Sequence, residues 1–141
     1  MAELAQKLGI KPGHRVALLD APAASAEIVR AGLLEGVSVV EALDEGESEE
    51  CYDVILFWPA ALDGLSERFD MLAHHIVPDG AVWSVIPKKQ FAPARGISFS
   101  WAEMQAAGLQ TDLVDNKECS VTPEEYATRW VIRQEHRHRY G

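Results

Sequence analysis

Few side chains in this sequence stand at the spacings that chemistry requires. Gly96-Ile97-Ser98-Phe99-Ser100 imitates the sharp turn that lifts a nucleophilic serine between a strand and a helix. It ends in Ser where that turn needs a second Gly, and no strand precedes it, so no nucleophile is assigned. His74 and His75 are adjacent in a helical stretch, about 100° apart around the axis, whereas one metal ion needs histidines at i and i+4. His14 stands alone. His136 and His138 would share a face of an extended strand, but they sit in a basic terminal stretch, 133–140, where fraying is expected. Cys51 and Cys119 are far apart, with no second Cys or His at ligand spacing, and read as reduced structural thiols. The sequence therefore offers no catalytic residue and no metal site.

What remains are polar and aromatic residues at the ends of apolar runs. Arg15-Val16-Ala17-Leu18-Leu19 is continuously apolar after its first residue and is stopped by Asp20-Ala21-Pro22. Without polar alternation it reads as a strand buried on both faces, the habit of a parallel sheet. The same holds for Val37 to Val40, ending at Glu41, for Asp53 to Trp58, stopped by Pro59, and for Ala81 to Ile86, ended by Pro87 and Lys88-Lys89. Between them lie helical patterns. One opens the chain over residues 1–8. A second runs over 23–34, with Ser25 as cap and Ile28, Val29 and Leu33 facing the core. A third covers 62–76, with Leu62, Leu65, Phe69, Leu72 and Ile76 at helical spacing. Lys11-Pro12-Gly13 and Pro78-Asp79-Gly80 carry turn residues.

After a Pro/Gly-containing loop over 91–98, Ser100 caps a helix over 101–107, Glu103 lies in its first turn and Gly108 ends it. Two strands, 111–121 and 126–133, are joined so briefly that they must pair antiparallel. Strand–helix alternation closing on a hairpin predicts a single α/β domain over 1–141, with a mostly parallel, doubly wound, Rossmann-like sheet. Ligands bind such sheets beyond the carboxyl ends of the strands, where the winding reverses. That crevice is expected to gather Asp20, Glu41, Trp58, Lys88 and Lys89, with Trp58 available to stack on a planar ligand.

Charge narrows the partners. The chain carries 22 acidic against 13 basic residues, a formal charge of −9, and five of the acids fall within residues 44–50. That balance repels phosphate backbones and argues against nucleic acid. The acidic stretch is expected to be a solvated loop. No apolar run approaches the ~20 residues that span a bilayer, and residues 1–8 lack the apolar core of a signal peptide. A cytoplasmic protein without membrane contact is the expectation.

The order of elements resembles a class I methyltransferase. A strand ends in Asp20, the next ends in an acid at Glu41, an Asp-led apolar strand follows, and a helix runs into Ile76-Val77-Pro78-Asp79-Gly80. The ending from Ala106-Ala107-Gly108-Leu109 onward looks like the helix and hairpin that complete that fold. A closer likeness is to a family of small bacterial proteins to which no settled activity attaches. It rests on Lys7-Leu8-Gly9-Ile10-Lys11-Pro12-Gly13, Pro78-Asp79-Gly80-Ala81-Val82-Trp83, Pro87-Lys88-Lys89 and Val114-Asp115-Asn116-Lys117.

The resemblance implies a shortened methyltransferase fold whose third strand is missing. It also exposes departures. Where methyltransferases have a glycine-rich turn against adenosylmethionine, this chain has Asp20-Ala21-Pro22-Ala23-Ala24, in which each Cβ obstructs and Pro22 removes a donor. Phe57-Trp58-Pro59-Ala60 stands where amino-methyltransferases carry a polar residue for the substrate nitrogen. Glu41 matches the acid that holds the ribose.

The resulting expectation is a non-catalytic small-molecule-binding or regulatory domain, its ligand and cofactor unspecified. Two alternatives compete with it. One is an S-adenosylmethionine-dependent methyltransferase with an altered cofactor loop. The other is an interaction module that meets a protein partner, or a second copy, through the acidic loop and an exposed sheet edge.

Overall fold

The computed structural model describes residues 3–33, 35–43 and 52–135. Along the chain run α1 (Glu3–Leu8), β1 (Arg15–Leu19), α2 (Ala23–Ala31), β2 (Ser38–Val40), β3 (Tyr52–Phe57), α3 (Leu65–Ala73), β4 (Ile76–Pro87), α4 (Trp101–Leu109), β5 (Leu113–Thr122) and β6 (Glu125–Ile132). Two single 3₁₀ turns, Lys89–Phe91 and Pro93–Arg95, separate β4 from α4. The strands form one sheet in the order β2-β1-β3-β4-β6-β5. The first four are parallel, and β6 lies antiparallel between β4 and β5. Among the described residues no strand lies outside β2. The acidic stretch 44–50, Cys51 and residues 136–141 lie outside the described residues.

The apolar runs are continuous because both faces of the sheet are covered. Val16 and Leu18 of β1, Val54 and Leu56 of β3, and Trp83 and Val85 of β4 pack against Leu8 of α1 and Val29 of α2. The alternate residues, Ala17 and Leu19, Ile55 and Phe57, Val82 and Ile86, join Phe69 and Leu72 of α3 and Met104 of α4 on the other face. Period two along each strand thus feeds two cores at once. Phe69 meets Phe57 edge to face, ring centres 5.2 Å apart, and lies 4.9 Å from Trp130.

Several local expectations are corrected. Ser25 does not cap α2: the N-cap is Pro22, and Ser25 is buried inside the first turn. Ile28 is exposed, leaving Ala26 and Val29 as that helix's core residues. The third helix is shorter than its apolar spacing suggests, because Gly64 in the left-handed region starts it late and Ile76 already belongs to β4. Pro78-Asp79-Gly80 makes an irregularity within β4 instead of a turn before it. Tyr52 pairs with Ile76 and Val54 with Ala81, so β4 uses extra residues there. A Cβ on Gly80 would stand 2.8 Å from the Asp53 carbonyl, which is why glycine occupies that place.

Gly108 does not end α4, which continues to Leu109. Its reason is packing. A Cβ there would come within 2.4 Å of the Trp130 ring, and Trp130 is wholly buried with its indole nitrogen donating to Ser84 Oγ at 2.9 Å. Gly108→Ala gains about 1 kcal/mol of helix propensity but must displace that ring. The variant should be destabilised by about 1–3 kcal/mol net. Urea denaturation checks this, and an unchanged or raised midpoint would refute the packing role.

Candidate functional site

The winding reverses between β1 and β3, and the loops after them diverge to opposite faces of the sheet. Asp20, the first residue past β1, takes φ +60°, the one described non-glycine residue with positive φ. This costs roughly 1 kcal/mol per residue for most side chains, with Asp among those that tolerate it best. The bend delivers its carboxylate to α3, where Asp20 Oδ2 accepts from Arg68 Nη2 at 2.8 Å. Arg68 thereby reaches from α3 across the switch point. Its guanidinium carbon lies 5.9 Å from the centre of the Phe57 ring, and its Nε is buried with no hydrogen-bond acceptor among the described residues.

Two clefts share Asp20 and Arg68 as walls. One, of about 270 Å³, adds Leu19, Glu41, Leu43 and Met71. The other, of about 310 Å³, adds Trp58, Pro59, Asp63 and Gly64 from the β3–α3 loop. Glu41 enters the first with its carboxylate already paired to Arg30 Nη2 at 2.9 Å, on the surface. Of the five expected crevice residues, the fold therefore brings together Asp20, Glu41 and Trp58.

Lys88 and Lys89 stand elsewhere on the same edge, beyond β4, beside Trp101 and Tyr126. The separation follows from the sheet order: β4 is two strands from β1. Trp58 is only 7% exposed, and its indole nitrogen is spent inward.

It is spent on Glu125. This residue opens β6 opposite Pro87, at the carboxyl edge of β4, and is wholly buried. Glu125 Oε1 accepts from Ser25 Oγ at 2.7 Å and Thr122 Oγ1 at 3.2 Å. Glu125 Oε2 accepts from Trp58 Nε1 at 2.9 Å and Arg95 Nη1 at 2.6 Å. Arg95 also reaches Glu124 at 3.2 Å. Its guanidinium is held more firmly charged than usual, chiefly by the hydrogen bond to Glu125, against the opposing effect of burial.

Four residues that organise this edge are silent in sequence. Arg68 lies on what looks like a solvated helix face, Ser25 looks like a cap, and Arg95 and Glu125 look like loop charges. Only Pro123 beside Glu124-Glu125, marking a turn, hints that this acid faces the strand ends.

His74 and His75 turn their Nδ1 atoms to the carbonyls of Asp70 and Met71 one helical turn back, in keeping with a structural role. Cys119 is half-buried on β5. Burial pushes its thiol pKa up, against the pull of Lys117 and Lys7. Among the described residues no group of three His, Cys, Asp or Glu could hold a metal ion, and no helix is long and apolar enough to cross a membrane.

Because Glu125 has no water to fall back on, removing its cation should be costly. Arg95→Met leaves a buried carboxylate with neutral donors only. Breaking a buried pair from one side costs about 3–5 kcal/mol, and partial exposure of Arg95 puts this variant near the lower end. Thr122→Val should cost roughly 1 kcal/mol. Denaturant titration of both variants checks the ranking, and equal losses would show that Arg95 does not carry the cluster.

No family model and no curated protein matches the sequence. Solved structures match throughout its length. A TehB-like SAM-dependent methyltransferase from Corynebacterium glutamicum aligns over 94% of this chain and 86% of its own, with TM-score 0.60 and 11% identity. A complex of the Haloferax volcanii Trm112 methyltransferase activator with a methyltransferase aligns over 94% and 88%, with TM-score 0.63 and 13% identity. The magnesium protoporphyrin IX methyltransferase of Synechocystis, solved with bound SAH, aligns over 94% and 80%, with TM-score 0.62 and 11% identity. Identities this low speak for architecture, and the architecture is a shortened, Rossmann-like class I methyltransferase fold with an antiparallel C-terminal hairpin.

Proposed function

We propose that this protein is a non-catalytic small-molecule-binding domain on a methyltransferase-like fold, its ligand held at the switch point by Asp20, Arg68, Glu41 and the Trp58 loop. The observation that carries this reading is Arg68. One end of its guanidinium is fixed by Asp20 while Nε, buried beside the same clefts, has no acceptor among the described residues. An orphaned buried donor costs about 1–3 kcal/mol, and a carboxylate or phosphate oxygen would satisfy it in the side-on geometry that guanidinium favours. Asp20 and Glu41 stand close enough to meet amino or hydroxyl groups on the same ligand.

Two features favour binding over methyl transfer. The chain leaves β1 through Asp20-Ala21-Pro22 and enters α2 at Pro22, whose ring occupies a place where bare backbone would admit a sulfonium nucleoside. Beneath it, Ser25 and Trp58 are already bonded to Glu125 and offer no polar group to an acceptor substrate. The structural neighbours nonetheless include a methyltransferase solved with SAM, so the altered-loop transferase is the reading to test against.

Calorimetry with adenosylmethionine and its demethylated product at millimolar concentration should give no saturable heat, and saturable binding of either would overturn the non-catalytic reading. In parallel, thermal melts with small carboxylates and inorganic phosphate should find a stabilising anion. At about 100 times its dissociation constant such an anion adds about 2.7 kcal/mol, or roughly 5–10 °C in a domain of this size. Arg68→Met should abolish the shift. A shift that survives in Arg68→Met would place the anion elsewhere.

A further inference from the structure

Beyond β4 the chain forms a strap. Lys88 is pinned where its amide donates to the Glu124 carbonyl at 2.8 Å. Two 3₁₀ turns follow, and Gly96, at φ +72°, reverses the direction. The Ile97 amide then returns to the Ala92 carbonyl at 3.1 Å. Ser100 closes the segment by capping α4, with a reciprocal bond from its own amide to Glu103 Oε1. Arg95 fastens the strap to Glu124 and Glu125. Residues 88–99 are thus tied down by bonds at both ends and in the middle.

Under the strap lies a groove of about 580 Å³, walled by Pro87, Ile97, Phe99, Trp101 and Tyr126, with Lys89 at its rim. Past Trp101 and Tyr126 it continues into a shallower hollow that holds Lys88 and Cys119. Its volume falls in the range of small-molecule sites, and its make-up follows their pattern of apolar walls and a few placed polar groups. The aromatic walls are fixed in advance. Trp101 Nε1 donates to Thr128 Oγ1 at 2.8 Å, which holds the ring half-exposed at the mouth. Tyr126 is half-buried, its pKa pushed up by that burial and then by the charge of Glu118, so its hydroxyl stays a neutral donor.

Charge decides the occupant. Lys88 and Lys89 make no ion pair among the described residues, in a chain with a formal charge of −9. Of the nearby acids, Glu103 is spent on the α4 cap, and Glu124 and Glu125 are spent on Arg95. Glu118, across the hollow from Lys88, is the nearby carboxylate whose side chain makes no hydrogen bond or ion pair among the described residues. We propose that this groove binds an amphipathic organic anion, its aromatic or hydrocarbon body against Ile97, Phe99 and Trp101 and its carboxylate, sulfonate or phosphate at Lys88 and Lys89. The site is separate from the Asp20–Arg68 crevice and does not depend on the reading of that crevice.

Anilinonaphthalene sulfonate is a suitable probe, because its rings suit the groove and its own emission brightens on leaving water. The folded full chain should bind it saturably with enhanced, blue-shifted emission. Lys88→Ala/Lys89→Ala should weaken binding by roughly tenfold, about the loss of two rim ion pairs. Ile97→Asp, which puts a carboxylate on the apolar wall, should abolish it. The double lysine variant should keep the parent's unfolding midpoint and near-ultraviolet dichroism, whereas Ile97, partly buried against the core, should lower the midpoint when replaced, so dichroism must show Ile97→Asp folded at the assay temperature. Phenylnaphthylamine, the uncharged counterpart, should bind the parent and the double lysine variant alike, and more weakly than the sulfonate binds the parent. Unchanged sulfonate binding in both folded variants would overturn the proposal, as would equal affinity of the parent for the charged and uncharged probes.

Discussion

One buried carboxylate ties this molecule together at the carboxyl edge of its parallel strands. Glu125 is removed from water altogether, and an ionised carboxylate so placed pays a desolvation penalty of several kcal/mol. Four donors meet it, one of them a guanidinium, and hydrogen bonds to charged groups contribute about 1.5–3 kcal/mol each. The sum of such bonds can offset the penalty only when all are made together. The donors come from α2, the end of β3, the strap and the β5–β6 turn, so satisfying one side chain sets the relative position of four segments.

That constraint shapes both clefts. On one side, Trp58 is drawn inward by its bond to Glu125, and the β3–α3 loop that follows it forms the wall opposite Asp20 and Arg68. On the other, Arg95 ties the strap to the start of β6, beside the groove that the strap walls. A carboxylate that contacts neither cavity thus controls the walls of each. Strand order and winding are shared with the methyltransferase neighbours, while the carboxyl edge here is organised around polar residues of this chain, in keeping with the separation of fold from site chemistry.

The sheet was legible in sequence because burial on both faces leaves an unmistakable trace. Arg15 to Leu19 and Asp53 to Phe57 are continuous apolar runs, and both are strands within a residue or two of the expected limits. Strand ends were legible for the same reason, so Asp20 and Glu41 could be placed in one crevice. The expectation that Lys88 and Lys89 join that crevice fails, since distance along an edge depends on strand order, and the hairpin's insertion of β6 beside β4 is invisible locally. Glycines misled where packing overrode conformation. Gly108 looks like a helix stop and is instead the seat of Trp130, and Gly80 looks like a turn and is a close approach to Asp53. The Glu125 cluster was hidden most completely, because its members lie up to 100 residues apart and each alone resembles an ordinary surface residue.

An acidic chain with two proposed anion sites is less paradoxical than its net charge suggests. Electrostatic influence in salt fades over about 8 Å, so a ligand senses the groups lining its cleft far more than the total. Near each cleft the acids are mostly neutralised by arginines: Asp20 by Arg68, Glu41 by Arg30, Glu124 and Glu125 by Arg95. Arginine suits this task because its fork can hold one carboxylate and still present further donors, as Arg68 does with its unpartnered Nε. The lysines at the strap, by contrast, are unshared point charges beside apolar walls. The two sites therefore favour different anions. The crevice suits a polar ligand that can replace or join a carboxylate already present, and the groove suits one whose charge is a small part of a greasy body.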